Sequence, residues 1–227
     1  MKQMDEILVS LENVSRCYGA GNRQRAALAN ISCKVLAGDR VAVVGPSGSG
    51  KSTLLHLMAG LDKPTRGVVR WPELGPEAEL RPDEIGVVFQ TPSLLPTLTV
   101  LENVELSWLL SKRDEARARP AALGALEKLG LLTIVDRLPG EISGGQTQRV
   151  AAARAIVCEP RLILADEPTG QLDSVTASKL IEELFSSIAN SDAALIVATH
   201  DLTIAGRMRN QWRMAHGKLV RILEKQN

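Results

Sequence analysis

The sequence predicts an α/β fold organised on a mainly parallel sheet, with a helical segment inserted into it. Two observations carry this prediction. Short apolar runs recur at Val41–Val44, within RLILADE (161–167) and within AALIVATH (193–200), as strands covered on both faces require. Other stretches place apolar residues at three- and four-residue steps, the spacing of amphipathic helices. Strands alternating with helices imply crossover connections and parallel pairing.

Taken in order, ILVSLENVS (7–15) alternates apolar and polar residues, as a half-buried strand does, and LANISCKV (28–35) does the same. AGDR (37–40) is turn chemistry before the strand VAVVG (41–45), and STLLHLMAG then reads as a helix beginning near Lys51. WPELGPEAELRPD (71–83) holds three prolines and a glycine and predicts an irregular connection. EIGVVFQ (84–90) is a further strand. Residues 93–140 are Leu- and Ala-rich with helical spacing, as in TVLENVELSWLL and AALGALEKLGLL. A helix follows ISGGQ (142–146) to about Cys158. From Asp173, Ala177, Leu180, Ile181, Leu184, Phe185 and Ile188 line one helix face. Residues 207–225 read as a strand pair whose basic residues form a solvated face.

Bulk properties restrict the function classes. Aromatic residues make up only 3% of the 227 positions, so the core rests on Leu, Ile, Val and Ala. A net charge of +1 gives no whole-chain signal for nucleic acid. No run approaches the roughly 18 apolar residues of a membrane span. MKQMDEILVSLEN places acidic residues where a signal peptide needs apolar ones, so a cytosolic location is expected. Cys17, Cys33 and Cys158 have no metal-site spacing and read as buried reduced thiols.

GPSGSGKS (45–52) fits the pattern G-x-x-x-x-G-K-[ST], with a buried strand before it and a helix after it. Glycines at 45, 48 and 50 let backbone N–H groups turn towards phosphate oxygens without Cβ clashes. The helix start adds its positive dipole end. Lys51 supplies a point charge to the β- and γ-phosphates, and Ser52 a hydroxyl to Mg²⁺. Gly45, Ser47, Gly48, Ser49, Gly50, Lys51, Ser52 and Thr53 are therefore candidate nucleotide contacts. The expected class is a P-loop nucleotide hydrolase or kinase, because several activities share this loop.

RLILADEP ends a buried strand in two carboxylates. Asp166 emerges on the side of a parallel sheet where ligands bind and can hold Mg²⁺ through water. Glu167 projects differently and can take a proton from an attacking water. The competing reading is two solvated acids at a strand end.

Further motifs fall in a fixed order. Gln90 follows EIGVVF, ISGGQTQR spans 142–149, ADEPTGQLD spans 165–173 and ATHD spans 198–201. Together with the phosphate loop they resemble the Q-loop, signature, Walker B, D-loop and H-loop segments of ATP-binding cassette (ABC) ATPases. The resemblance covers roughly residues 6–222. YGAGNRQRAALANIS, GLDKPTRG (60–67) and LLPTLTVLENV (94–104) are similar to the bacterial lipoprotein-release, macrolide-efflux and cell-division branch.

The resemblance implies one nucleotide-binding domain over 1–227, with a helical subdomain at about 91–160 in a RecA-like core beside an antiparallel β subdomain. The short 71–83 connection leaves the outer antiparallel strands of that region open. It implies a homodimer assembled head to tail, in which Ser143, Gly144, Gly145 and Gln146 of each chain cap the γ-phosphate of ATP bound by the other. Ser143 is also a natural N-cap, and the two glycines bare N–H groups at a helix start. The resemblance further implies that Tyr18 stacks on adenine, that Glu167 polarises the attacking water, and that His200 contacts the γ-phosphate and positions that water. Gln90 contacts Mg²⁺ and water, and Asp173 links the two sites. Outside the motif His200 reads as a core histidine ending a strand, and the competing reading of Tyr18 is an ordinary packed tyrosine. Ile142, Thr147 and Gln171 depart from the family pattern, but none removes a catalytic group.

The implied function is an ATPase subunit, with ATP and Mg²⁺, that drives a separate integral membrane permease of efflux or lipoprotein-release type. The permease is expected to dock near Gln90 and residues 93–110, at the cytoplasmic face of the inner membrane, with no nucleic acid involved. The alternative is a cell-division-type ATPase that signals through a membrane partner without transport.

Overall fold

The computed structural model describes residues 6–19, 24–76, 83–111, 114–170 and 172–224. It divides into two compact units, Met1–Leu80 with Ala193–Asn227, and Arg81–Asp192.

In chain order, the first unit begins with β1 (Ile7–Tyr18), β2 (Arg25–Leu36), β3 (Arg40–Val44), α1 (Lys51–Met58) and β4 (Arg66–Arg70). The second unit holds β5 (Ile85–Val88), α2 (Val100–Leu110), α3 (Ala118–Lys128), α4 (Gly144–Ile156), β6 (Leu162–Asp166) and α5 (Ser174–Ser187). The chain then completes the first unit with β7 (Ala194–Thr199), α6 (Leu202–Arg207), β8 (Asn210–Ala215) and β9 (Lys218–Glu224).

In the first unit β2, β1 and β4 form an antiparallel sheet in that order. Leu8, Val9, Ser10 and Leu11 are all buried on β1, so its first half is covered on both faces rather than half-buried as the alternation predicts; Glu12 is exposed and Val14 buried beyond it. The register shifts between Leu11 and Val14, where Asn13 takes a positive φ of 52° and its N–H donates to Ser32 Oγ at 2.9 Å. β4 crosses close by: a Cβ on Gly67 would lie 2.4 Å from the Asn13 carbonyl oxygen, so only glycine fits. Cys33 is buried in this sheet, and burial pushes its thiol up to about 12.

The other sheet of this unit runs β7–β3–β8–β9. β7 and β8 flank β3 in parallel, and β9 pairs with β8 antiparallel. Val41–Val44 and the whole of β7 are buried, as the apolar runs require. Trp71 is buried and donates its indole N–H to the Met58 carbonyl at 2.7 Å, tying the following turn to the end of α1.

In the second unit β5 and β6 pair in parallel. A Cβ on Gly86 would lie 2.1 Å from the Ala155 carbonyl oxygen, so β5 and α4 are in backbone contact. α2 starts at a capping box: Glu102 N–H donates to Thr99 Oγ1 and Thr99 N–H to Glu102 Oε2. Between 91 and 160 the described residues form helices and 3-10 turns and no strand. Ala177, Leu180, Ile181 and Leu184 form the buried face of α5. Phe185 is half-buried, and Ile188 is buried just past the helix end.

Parallel pairing in both units, with the separate antiparallel sheet, agrees with the expected α/β class. Several boundaries are corrected. β1 and β2 run on to Tyr18 and start at Arg25, because their ends pair with each other beyond the alternating stretch. α4 ends at Ile156 rather than Cys158. β4 was not among the strands read from the sequence. Cys17 is only half-buried, because its strand end is open to solvent. Residues 71–76 form the expected irregular turn, while 77–82 and Gln171 lie outside the described residues. No helix among the described residues is long and apolar enough to cross a membrane.

Candidate nucleotide site

The loop at 45–52 leaves the C-terminal end of β3 and is wedged between neighbouring strands. A Cβ on Gly45 would lie 2.4 Å from the Met214 carbonyl oxygen, and one on Gly50, at φ +102°, would lie 2.5 Å from the Ala27 carbonyl oxygen. Two of the three glycines therefore answer to the protein's own backbone, which amends the phosphate-facing reason read from the sequence. The Gly217 N–H holds the loop from below by donating to the Ser49 carbonyl at 3.0 Å. No side chain caps α1 at Gly50, so its first-turn N–H groups form an anion-binding end.

Lys51 is buried, and its ammonium donates to the Gly45 carbonyl at 3.0 Å and the Pro46 carbonyl at 3.3 Å. Ser49 Oγ is buried with no hydrogen-bond partner among the described residues. Ser52 and Thr53 are half-buried, and Ser47 and Gly48 are exposed at the loop tip. The segment 45–53 contains no acidic residue. An ammonium, an uncapped helix end and an unsatisfied hydroxyl fit a polyphosphate.

The parallel register places Val44 opposite Thr199. His200 therefore follows the strand end adjacent to the one from which the glycine loop departs. It is exposed rather than a core histidine. Its backbone is bracketed: Asp201 N–H donates to Thr199 Oγ1 at 3.0 Å, and Asp201 caps α6 by accepting from Thr203 N–H at 2.7 Å.

Tyr18 closes β1 and is 43% exposed, so it is not a packed core tyrosine. Its hydroxyl donates to Asp62 Oδ2 at 2.7 Å. Partial burial pushes the Asp62 carboxyl up, but hydrogen bonds from Tyr18, the Lys63 N–H and Arg16 outweigh it and hold Asp62 below the usual carboxylate range. Asp62 and Arg16 escaped the sequence reading; the local signal was a charged residue two positions before the aromatic.

In the second unit, Val88 lies opposite Ala165, so Gln90, just past β5, and the pair Asp166–Glu167, at the end of β6, lie at the same edge. Both carboxylates are buried, which sets aside the reading as solvated acids. Glu167 holds a positive φ of 46°, and its carbonyl accepts from Gly170 N–H at 3.1 Å. A non-glycine residue there carries about 1–3 kcal/mol of strain, which a neighbouring turn and packing must hold. Gln90 is exposed. Its segment is fixed from α4: Gln148 Nε2 donates to the Phe89 carbonyl at 3.3 Å and Arg154 to the Ser93 carbonyl at 2.7 Å. The sequence reading missed both.

Ser143 is the N-cap of α4, as expected. It accepts from Gln146 N–H at 3.2 Å, and Gln146 Oε1 accepts from Ser143 N–H at 2.9 Å, closing a capping box. Gly144 has open space where a Cβ would stand, and Gly145 has only ordinary contacts. Asp173 caps α5 by accepting from Val175 N–H, Thr176 N–H and, at 2.6 Å, Thr176 Oγ1. These bonds, led by that from the Thr176 hydroxyl, hold its carboxyl below the ordinary value. No group of three or more His, Cys, Asp or Glu among the described residues makes a self-contained metal site.

The chain is similar to known proteins along most of its length. The family model described as "ABC transporter" matches residues 16–170. The lipoprotein-releasing system ATP-binding protein LolD of Legionella pneumophila (strain Paris) is 40% identical over 95% of this chain and 98% of its own. The uncharacterized ABC transporter ATP-binding protein YvrO of Bacillus subtilis (strain 168) is 42% identical over 94% of this chain and 96% of its own. Among solved structures, a dimeric post-hydrolysis state of the ATP-binding cassette MJ0796 bound to ADP and Pi superposes with a TM-score of 0.88. It is 36% identical, over 96% of this chain and 99% of that one. These relatives fit the lipoprotein-release and macrolide-efflux branch, and the chain belongs to the ABC transporter family as one of its ATP-binding cassette ATPases.

Proposed function

We propose that the chain is the ATP-hydrolysing subunit of a transporter of efflux or lipoprotein-release type, and that its two units work as one nucleotide-binding domain with 91–160 as the helical insertion. The observation that carries this is the cradle at 45–53, with Lys51 buried against the loop carbonyls and His200 at the neighbouring strand end. Lys51 and the N–H groups of Gly48–Thr53 bind the triphosphate. Ser52, Gln90 and Asp166 would hold the Mg²⁺ that ATP brings, which supplies charge neutralisation on the phosphates. Glu167 takes a proton from the attacking water, and His200 and Gln90 orient that water. ATP and water become ADP and phosphate.

Two copies pair head to tail. Ser143, Gly144, Gly145 and Gln146 of one copy cap the γ-phosphate held by the other, and Asp173 links the sites. The dimeric form of the MJ0796 cassette supports this assembly. A permease docks near Gln90 and 93–110, which places the chain peripherally on the cytoplasmic face of the inner membrane. The relatives do not favour the signalling-only alternative. Glu167→Gln is the test. With MgATP it is expected to give a stable nucleotide-bound dimer by light scattering; a persistent monomer at high protein concentration overturns the shared-site mechanism.

A further inference from the structure

Tyr18 is held by more than its strand. Arg16 lies under the ring, its guanidinium carbon 4.5 Å from the centroid. The same guanidinium grips Asp62 with two parallel bonds, Nε to Oδ2 at 2.8 Å and Nη2 to Oδ1 at 2.7 Å. Tyr18 donates its hydroxyl to that Oδ2. A planar fork on a carboxylate fixes orientation as well as distance, so one acid sets both the guanidinium plane and the phenol axis. The loop bearing Asp62 is itself fastened to β1: Cys17 N–H donates to Thr65 Oγ1 at 3.0 Å and Thr65 N–H to the Ser15 carbonyl at 2.8 Å. The ion pair is sheltered, with Arg16 and Asp62 side chains 25% and 19% exposed.

The consequence is an oriented aromatic surface. One ring face is taken by Arg16 and the hydroxyl is committed to Asp62, so the exposed part of Tyr18 offers a stacking face and no polar tip. Tyr18 pairs across the sheet with Arg25, two residues from Ala27, whose carbonyl meets Gly50 of the phosphate loop. Two residues along a strand and one step across amount to on the order of 10 Å, the scale of the span between the base and the phosphates of a nucleotide.

We infer that Arg16 and Asp62 are positioning residues for the nucleobase: they pre-set Tyr18 as a one-faced stacking platform, so that the base is gripped through its π-face. This rests on the reading of Tyr18 as the adenine contact. Stacking on a fixed ring contributes about tenfold or more in affinity, and a ring free to rotate forfeits much of it.

The test compares affinities of the full chain for the β,γ-imido analogue of ATP and for inorganic tripolyphosphate, both with Mg²⁺, by calorimetry. Tripolyphosphate reports on the cradle alone. Tyr18→Ala, Tyr18→Phe and Asp62→Ala are each expected to weaken the nucleotide about tenfold and leave tripolyphosphate within about twofold. Tyr18→Phe keeps the stacking ring but loses the bond to Asp62, so the double variant with Asp62→Ala should be no worse than either single one. If only Tyr18→Ala weakens the nucleotide, the positioning role is overturned and Tyr18 keeps its role as base contact. If Tyr18→Ala leaves the ratio of the two affinities unchanged, the base contact itself is refuted. Equal weakening of both ligands by Asp62→Ala marks a merely structural residue and also overturns the inference.

Discussion

The carboxamide of Asn103 closes on Leu95 at both backbone groups: Leu95 N–H donates to Asn103 Oδ1 at 2.8 Å, and Asn103 Nδ2 donates to the Leu95 carbonyl at 3.1 Å. The same nitrogen also reaches the carbonyls of Leu98 and Thr99 at 3.0 Å each. Asn103 is buried on α2 among Val100, Val104 and Trp108. One side chain thus shapes the segment 95–99 and leaves the Leu95 side chain 43% exposed. Leu94 and Leu98 are half-buried, so Leu95 is the leucine of this segment that stands exposed.

Asn103→Ala strips a buried side chain's hydrogen bonds from a half-exposed segment. A loss of about 1 kcal/mol is expected, since water can reach part of the freed backbone, read as a lower urea midpoint at unchanged slope.

Leu95→Asp is a surface change on that held loop. Isolated ATPase activity is expected to persist while stimulation by the membrane partner is lost. Equal loss of both activities would count against docking at this position.

The phosphate-loop glycines are expected to differ in tolerance. Gly45→Ala forces a Cβ onto the Met214 carbonyl, whereas Gly48→Ala enters open space and carries only the strain of φ +73°. Nucleotide affinity and thermal midpoint should therefore collapse for Gly45→Ala. Gly48→Ala should cost about 1 kcal/mol in stability. Similar midpoints for the two variants would contradict the packing reason.

Acid sensitivity follows from Asp62 and Asp173, both held below the ordinary value of 3.8. Between folded and unfolded pKa values the unfolded chain binds more protons, so stability rises with pH there. Their contribution is complete above the ordinary carboxylate value and is lost as pH falls through it towards the folded value. Urea melts across this window should show a shallower decline for Asp173→Asn than for the natural chain. An unchanged slope would refute the contribution of that cap.

Gly86→Ala tests the contact between β5 and α4. With the Ala155 carbonyl 2.1 Å from the new Cβ, a loss of at least about 2 kcal/mol is expected. A neutral substitution would show that the strand and helix separate freely.

The core strands were legible because β3, β6 and β7 are buried at nearly every position and so read as continuous apolar runs. The phosphate loop and the Ser143 cap were legible because their chemistry is local in sequence. β4 was not, since RGVVR is almost wholly exposed and is held by pairing with β1 rather than by an apolar pattern. Asp62 was hidden by distance, 44 residues from Tyr18. Asn103 left a trace that local reading passes over: it interrupts the buried stripe of Val100, Val104 and Ser107, where a polar residue must find internal partners.

The clasp of Lys51 on the Gly45 and Pro46 carbonyls has a thermodynamic consequence for substrate capture. A lysine waving in solvent surrenders up to about 2 kcal/mol of rotamer freedom when it grips an anion. Here much of that freedom is already gone, because the ammonium stands in place against the loop carbonyls when an oxyanion arrives. Recognition then becomes a change of partner at a fixed charge, which favours rapid reversible loading in a cyclic machine.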